Sequence, residues 1–121
     1  MKATYETGVQ GELMAEKYLT SLGMICLERR HREKPGEIDL IMEDGETLVF
    51  VEVKTRFSGN RSGQGLEAVN PAKQKRIAKS ATIYLMKHGW LRRQIRFDVI
   101  EINARDILHI PNAFQPGGMF F

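Results

Sequence analysis

The sequence predicts an α/β layer structure in which helices cover a mixed β-sheet, with the element order αβββαββ. Three observations predict it. Residues 7–22 and 71–88 carry apolar side chains at helical spacing, and five shorter runs rich in β-branched residues read as strands. The third is size: 121 residues and 13.8 kDa suffice to bury one core and are too few for two, so a single domain over residues 1–121 is expected.

From about Thr7 to Leu22, Gly8, Gly11, Ala15, Tyr18, Leu19 and Leu22 fall on one helical face, and Gly23 stops the helix. Met24 to Leu27 reads as a strand; the Arg29-Arg30-His31-Arg32 stretch after it fits a strand end or a loop. Ile38–Met42 and Leu48–Val53 are the clearest strands, joined by Glu43-Asp44-Gly45-Glu46, whose Asp-Gly pair favours a tight hairpin turn. Thr55 to Gly65 is rich in Gly, Ser, Asn and Arg and is expected to be a mobile loop. Asn70 followed by Pro71 starts a second helix, the amide capping and the proline sitting where its missing N–H costs nothing; Gly89 ends it. Its predicted inner face is Gln74, Ile77, Ala78, Ala81, Tyr84 and Leu85. Ile95–Ile102 and Ile107–Ile110 close the chain as strands.

Hydrophobic residues at 42% and charged residues at 27% exclude a disordered tail or a fibrous repeat. The formal net charge of +3 conceals an uneven distribution. Residues 1–52 hold eleven acids and six bases, residues 53–97 hold Glu67 against eleven bases, and residues 98–121 hold three acids and one base. A middle segment of +10 is a candidate footprint for a polyanion. Cys26, the only cysteine, excludes an internal disulfide and a cysteine-rich zinc site. The first residues lack the apolar run of a signal peptide and no stretch approaches about 20 apolar residues, so a cytoplasmic protein without a membrane partner is expected.

The hairpin places the chemistry. With Asp44-Gly45 as a two-residue turn, Glu43 pairs with Glu46 and Asp39 faces Phe50. Asp39, Glu52 and Lys54 then project from one face, with Asp39 and Glu52 diagonal neighbours at a Cα spacing of roughly 7–8 Å. The opposite face is Ile38, Leu40, Met42, Val49, Val51 and Val53. Two adjacent carboxylates repel unless a cation neutralises them, and oxygen-only donors suit Mg2+ or Mn2+. Lys54 on the same strand is placed to hold the scissile phosphate or the attacking water, the equipment for metal-assisted phosphodiester hydrolysis.

Asp39 followed by Val51-Glu52-Val53-Lys54, and preceded by Gly36-Glu37-Ile38, resembles the PD-(D/E)xK nuclease signature with no proline before the aspartate. A wider set is similar, over nearly the whole chain, to the YraN-like family of bacterial proteins. It comprises Gly8-x-x-Gly11-Glu12-x-x-Ala15 with Tyr18-Leu19, Gly36 to Ile41, Phe50 to Arg56, and Asn112-Ala113-Phe114. That family is likened to archaeal Holliday-junction resolvases of the restriction-endonuclease-like fold. The resemblance implies a three-layer fold, Asp39, Glu52 and the Val53 carbonyl as metal ligands, and Lys54 as the catalytic lysine. It also implies that Glu12 joins the metal site and that Gln74 is the glutamine often found after the lysine strand.

Each feature has a plainer reading. Asp39, Glu52 and Lys54 can form a salt-bridged cluster at a sheet edge, Glu12 can answer the helix dipole, and Gln74 can satisfy backbone groups near the helix start. His31, His88 and His109 lack the spacing of a zinc site. Gly8 and Gly11 suit close approach of helix to sheet, since no phosphate-binding glycine pattern is present. Arg56, Arg61, Lys73 and Arg76 bracket the site as phosphate contacts, and Arg92, Arg93 and Arg96 extend the basic stripe. The leading expectation is a Mg2+- or Mn2+-dependent nuclease on DNA, including branched or recombination and repair intermediates. Its rivals are a non-catalytic nucleic-acid-binding module of the same fold and an adaptor for a protein partner. Resolvase-like specificity would require a homodimer presenting two sites.

Overall fold

The computed structural model describes residues 3–56, 69–104 and 106–115, with side chains from residue 8 onward. In chain order the elements are α1 (Ala3–Ser21), β1 (Ile25–Glu33), β2 (Gly36–Asp44), β3 (Thr47–Arg56), α2 (Pro71–His88), β4 (Ile95–Asn103) and β5 (Ile107–Phe114). This is the predicted order. The strands form one sheet, β1-β2-β3-β4-β5, in which β3 and β4 are parallel and every other pair is antiparallel. A parallel pair needs a crossover, and α2 supplies it.

The two helices bury opposite faces of the sheet. Ala15 and Leu19 of α1 pack with Leu40, Met42, Val49, Val51, Ile100 and Ile102. Ile77, Ala78, Ala81, Tyr84 and Leu85 of α2 pack with Ile41, Leu48, Phe50, Phe97 and Val99. The result is a three-layer α/β arrangement consistent with a restriction-endonuclease-like fold. No described helix is long and apolar enough to cross a membrane.

The second helix follows its sequence signals. Asn70 accepts from the Lys73 N–H at 2.9 Å, and Gly89 takes the left-handed conformation at φ 69°. On α1, Gly11 is buried against β3, where an added methyl would collide with Thr55 Oγ1; Gly8 has nothing close and plays no such role. Leu22, expected inward, is 53% exposed, because the helix ends at Ser21 and Gly23 turns the chain away at φ 97°. The Arg29 to Arg32 stretch is strand. Most of the expected loop, with Arg61, falls in residues 57–68 and lies outside the described residues.

The hairpin register differs from the expected one. Asp44 pairs with Thr47, and Leu40 with Val51, so the loop is Gly45-Glu46. Gly45, at φ 61°, takes the first loop position, where a Gly-first hairpin places its left-handed residue. Each partner moves by two residues, which preserves the alternation of faces. Ile38 is the exception to the predicted apolar face: it packs with the α2 cluster while Leu40 packs with α1. Between the pairs Arg29 with Leu40 and His31 with Ile38, Arg30 has φ 50°, and the strands turn over at Arg30 and Asp39.

Candidate active site

The turnover puts Asp39 at the place where β2 and β3 part. Their ladder reaches no further than Leu40 and Val51, and the next available N–H on β3, that of Val53, donates to Asp39 Oδ2 at 2.8 Å. Glu52 belongs to the same face as Phe50, which α2 covers, and is 6% exposed. The Asp39 and Glu52 carboxyl groups face one cleft, near enough for the charge of one to act on the other. Burial, and then the charge of Glu52, push Asp39 well above the ordinary carboxyl range.

Two ammonium groups hold Glu52. Lys54 Nζ lies 3.2 Å and Lys73 Nζ 2.5 Å from Glu52 Oε2. Lys54 reaches it along the same strand. Lys73 reaches it from the first turn of α2, which Ser80 ties to β2 by donating to the Gly36 carbonyl at 2.9 Å. Burial, followed by the neighbouring Lys73, lowers the Lys54 ammonium below its ordinary range. Burial would also lower Lys73, but the bond to Glu52 outweighs it and the group is raised. Asp39, Glu52 and Lys73 open on a cleft of about 250 Å3, lined also by Gly36, Glu37, Arg76 and Ile77; Lys54 stands behind Glu52 and is not part of that lining.

Three predicted residues stand elsewhere. Glu12 is held by Arg30, Nε to Oε1 at 2.7 Å, and lines a different, mostly apolar cavity with Val9, Leu13 and Leu40. Burial raises its pKa against the pull of Arg30, with smaller contributions from Glu37 and Glu52, so it feels the site without joining it. Gln74 donates its amide to the Val69 carbonyl at 2.9 Å, the backbone-satisfying role. Arg56 ends β3 beside Asn103 of β4. Arg93 and Arg96 do not extend a free stripe: Arg93 pairs with Glu43, and Arg96 with Asp44 and Asp98. The histidines are packed or paired, His31 with Glu33, His109 with Asp98 and His88 against the Tyr84 carbonyl.

Asp39, Glu52 and the Val53 carbonyl are hard oxygen donors, and a half-buried and a buried carboxylate that repel each other make up the charge a divalent cation relieves. The site therefore fits Mg2+ or Mn2+ with water completing the coordination. Among the described residues no three His, Cys, Asp or Glu side chains gather as a metal-holding group, and the Glu12 carboxylate is paired with Arg30.

Sequence reasoning placed Lys73 among surface phosphate contacts and missed its contact with Glu52. The signal was present: Lys73 lies one turn before Ile77, on the stripe that continues through Ala81 and Tyr84. It also missed Glu101, fully buried on β4 and in register with Lys54. A charged residue within six consecutive buried positions of β4 was visible as a departure from the apolar pattern.

Residues 11–102 match the model of the uncharacterised protein family UPF0102. The chain belongs to UPF0102. This is the YraN-like family that its motifs resemble. The UPF0102 protein of Anaeromyxobacter dehalogenans is 42% identical over 115 residues, covering 92% of this chain and 85% of its own. That of Geobacter metallireducens is 46% identical over 112 residues, covering 89% and 91%. That of Chlorobium chlorochromatii is 44% identical over 122 residues, covering 93% of each. The UPF0102 match spans both helices' packing residues and all the site residues from Glu12 to Arg76.

Proposed function

We propose that this UPF0102 protein is a divalent-cation-dependent nuclease that hydrolyses DNA phosphodiester bonds. The observation that carries it is the half-buried Asp39 carboxyl beside the buried Glu52 carboxyl at one cleft, with Lys54 on the strand and face of Glu52. A surface that only binds nucleic acid gains nothing from two carboxylates that repel phosphate, and holding them together costs desolvation and repulsion. A bound Mg2+ or Mn2+ supplies Lewis-acid stabilisation of charge on phosphorus and activates water. Asp39, Glu52 and the Val53 carbonyl hold and orient that cation. Lys54 approaches from beside Glu52 to meet a phosphate oxygen or the attacking water. Exposed Arg76 at the cleft mouth positions the backbone without reading bases.

The test is a panel of linear, single-stranded, flapped and four-way DNA, with RNA counterparts, incubated in Mg2+ or Mn2+. Cleavage is expected in the wild type and lost in Glu52→Ala and Lys54→Ala. Binding of these substrates with no cleavage in either metal would replace the nuclease with a non-catalytic nucleic-acid-binding module.

A further inference from the structure

The Glu52 oxygen that a divalent cation would use is already engaged by ammonium groups from two different elements. Lys73 Nζ is 2.5 Å from Oε2, nearer than Lys54 Nζ at 3.2 Å. Lys54 is fastened to the strand that carries Glu52. Lys73 projects from the first turn of α2, its side chain 28% exposed and directed into the open cleft. That turn carries no acidic residue, and its N-terminal dipole favours an anion in front of it. A phosphate in the cleft would answer that preference.

The charges show why this matters. Asp39 and Glu52 against Lys54 and Lys73 leave the four groups balanced when the carboxyls are ionised. A divalent cation added to that set creates an excess of positive charge in a half-enclosed site. An ammonium and a cation bound at about 2.0–2.1 Å also compete for the same oxygen lone pairs. Lys73 has a flexible four-carbon stem and stands on a different element from Glu52, whereas Lys54 shares its strand, so Lys73 is the group able to leave.

We propose that Lys73 is a displaceable internal counter-ion: it holds Glu52 until a divalent cation binds, and cation binding hands its ammonium to a phosphate of the nucleic acid. The proposal rests on the metal-dependent reading of the site. By linkage, the cation binds weakly to the free protein and more tightly when nucleic acid is present to receive Lys73.

The test is Mn2+ binding by calorimetry, without nucleic acid, to the wild type, Lys73→Met, Lys73→Arg and Lys73→Met/Glu52→Gln. Lys73→Met is expected to bind Mn2+ on the order of tenfold more tightly than wild type. Lys73→Arg, which keeps the charge, should stay near wild type, and the double variant should lose the site. Equal or weaker binding by Lys73→Met overturns the counter-ion while leaving the metal site standing. Absence of Mn2+ binding in both wild type and Lys73→Met overturns the metal site and the counter-ion together. A second readout needs no variant to remain folded under metal: in wild-type protein with 13C-labelled lysine, Mg2+ should move the Lys73 Cε signal. An unmoved signal at saturating Mg2+ overturns the exchange.

Discussion

The backbone N–H of Val53 donates to Oδ2 of Asp39 at 2.8 Å, at the point where the β2–β3 ladder has ended. One side chain thus closes the gap between two parting strands and presents its carboxyl to Glu52. Structural and chemical roles can be separated by substitution. Asp39→Asn keeps an acceptor for Val53 and removes a charge facing Glu52, so its urea midpoint should equal or exceed that of wild type while Mn2+ binding disappears. Asp39→Ala leaves a backbone N–H unpaired and should be less stable than Asp39→Asn by about 1–3 kcal/mol.

Arg76 is exposed and lines the cleft without an ion pair to Glu52. Arg76→Ala should weaken nucleic-acid binding to a similar degree on every sequence. The slope of log affinity against log salt for duplex DNA should become shallower by about 0.9, the loss of one phosphate contact. An unchanged slope would remove Arg76 from the interface.

Asp98, on β4 in register with Val51, provides an acid-sensitive fastening. Burial opposes its ionisation, but His109 at 2.8 Å, Arg96 at 3.0 Å and the Asn112 N–H at 2.9 Å outweigh it and hold its pKa below the ordinary 3.8. As pH falls the unfolded chain therefore takes up the proton first, so the contribution is complete above the ordinary value and is lost from about pH 4 downward. Urea unfolding of wild type and Asp98→Asn should show a stability difference at about pH 6 that shrinks at about pH 3. A difference independent of pH would mean that the carboxylate charge contributes nothing.

Gly11 permits α1 to approach Thr55, the residue after Lys54. Gly11→Ala should destabilise the protein by about 1–3 kcal/mol through overpacking. Because the nearest atom is the Thr55 hydroxyl, Gly11→Ala/Thr55→Ala should recover much of that loss, and a double-mutant cycle in urea measures the coupling. Additive effects would show that the helix relaxes elsewhere.

The elements were legible because their signals are local. Asn70-Pro71 and Gly89 bound α2 through their own cap and backbone preferences, and Val, Ile and Leu alternation marks β2 and β3. The hairpin pairing was misjudged by two residues, since Asp-Gly and Gly-Glu both make acceptable loops and only the closing pair Asp44–Thr47 distinguishes them. Glu12 and Gln74 were read as site residues from a resemblance, whereas Arg30 and the Val69 carbonyl, each remote or unremarkable in sequence, take up their side chains.

Sequence alone determined that Glu52 and Lys54 share a face, because side-chain alternation along a strand survives a shift of register by two. Only the tertiary structure decided which charges meet there. The turnover at Arg30 and Asp39 sends Ile38 to one core and Leu40 to the other. The packing of Ile77, Ala78 and Ala81 beneath α2 then sets how closely Lys73 approaches Glu52. These distances arise from contacts between residues far apart in the chain, which strand periodicity and helix caps do not encode.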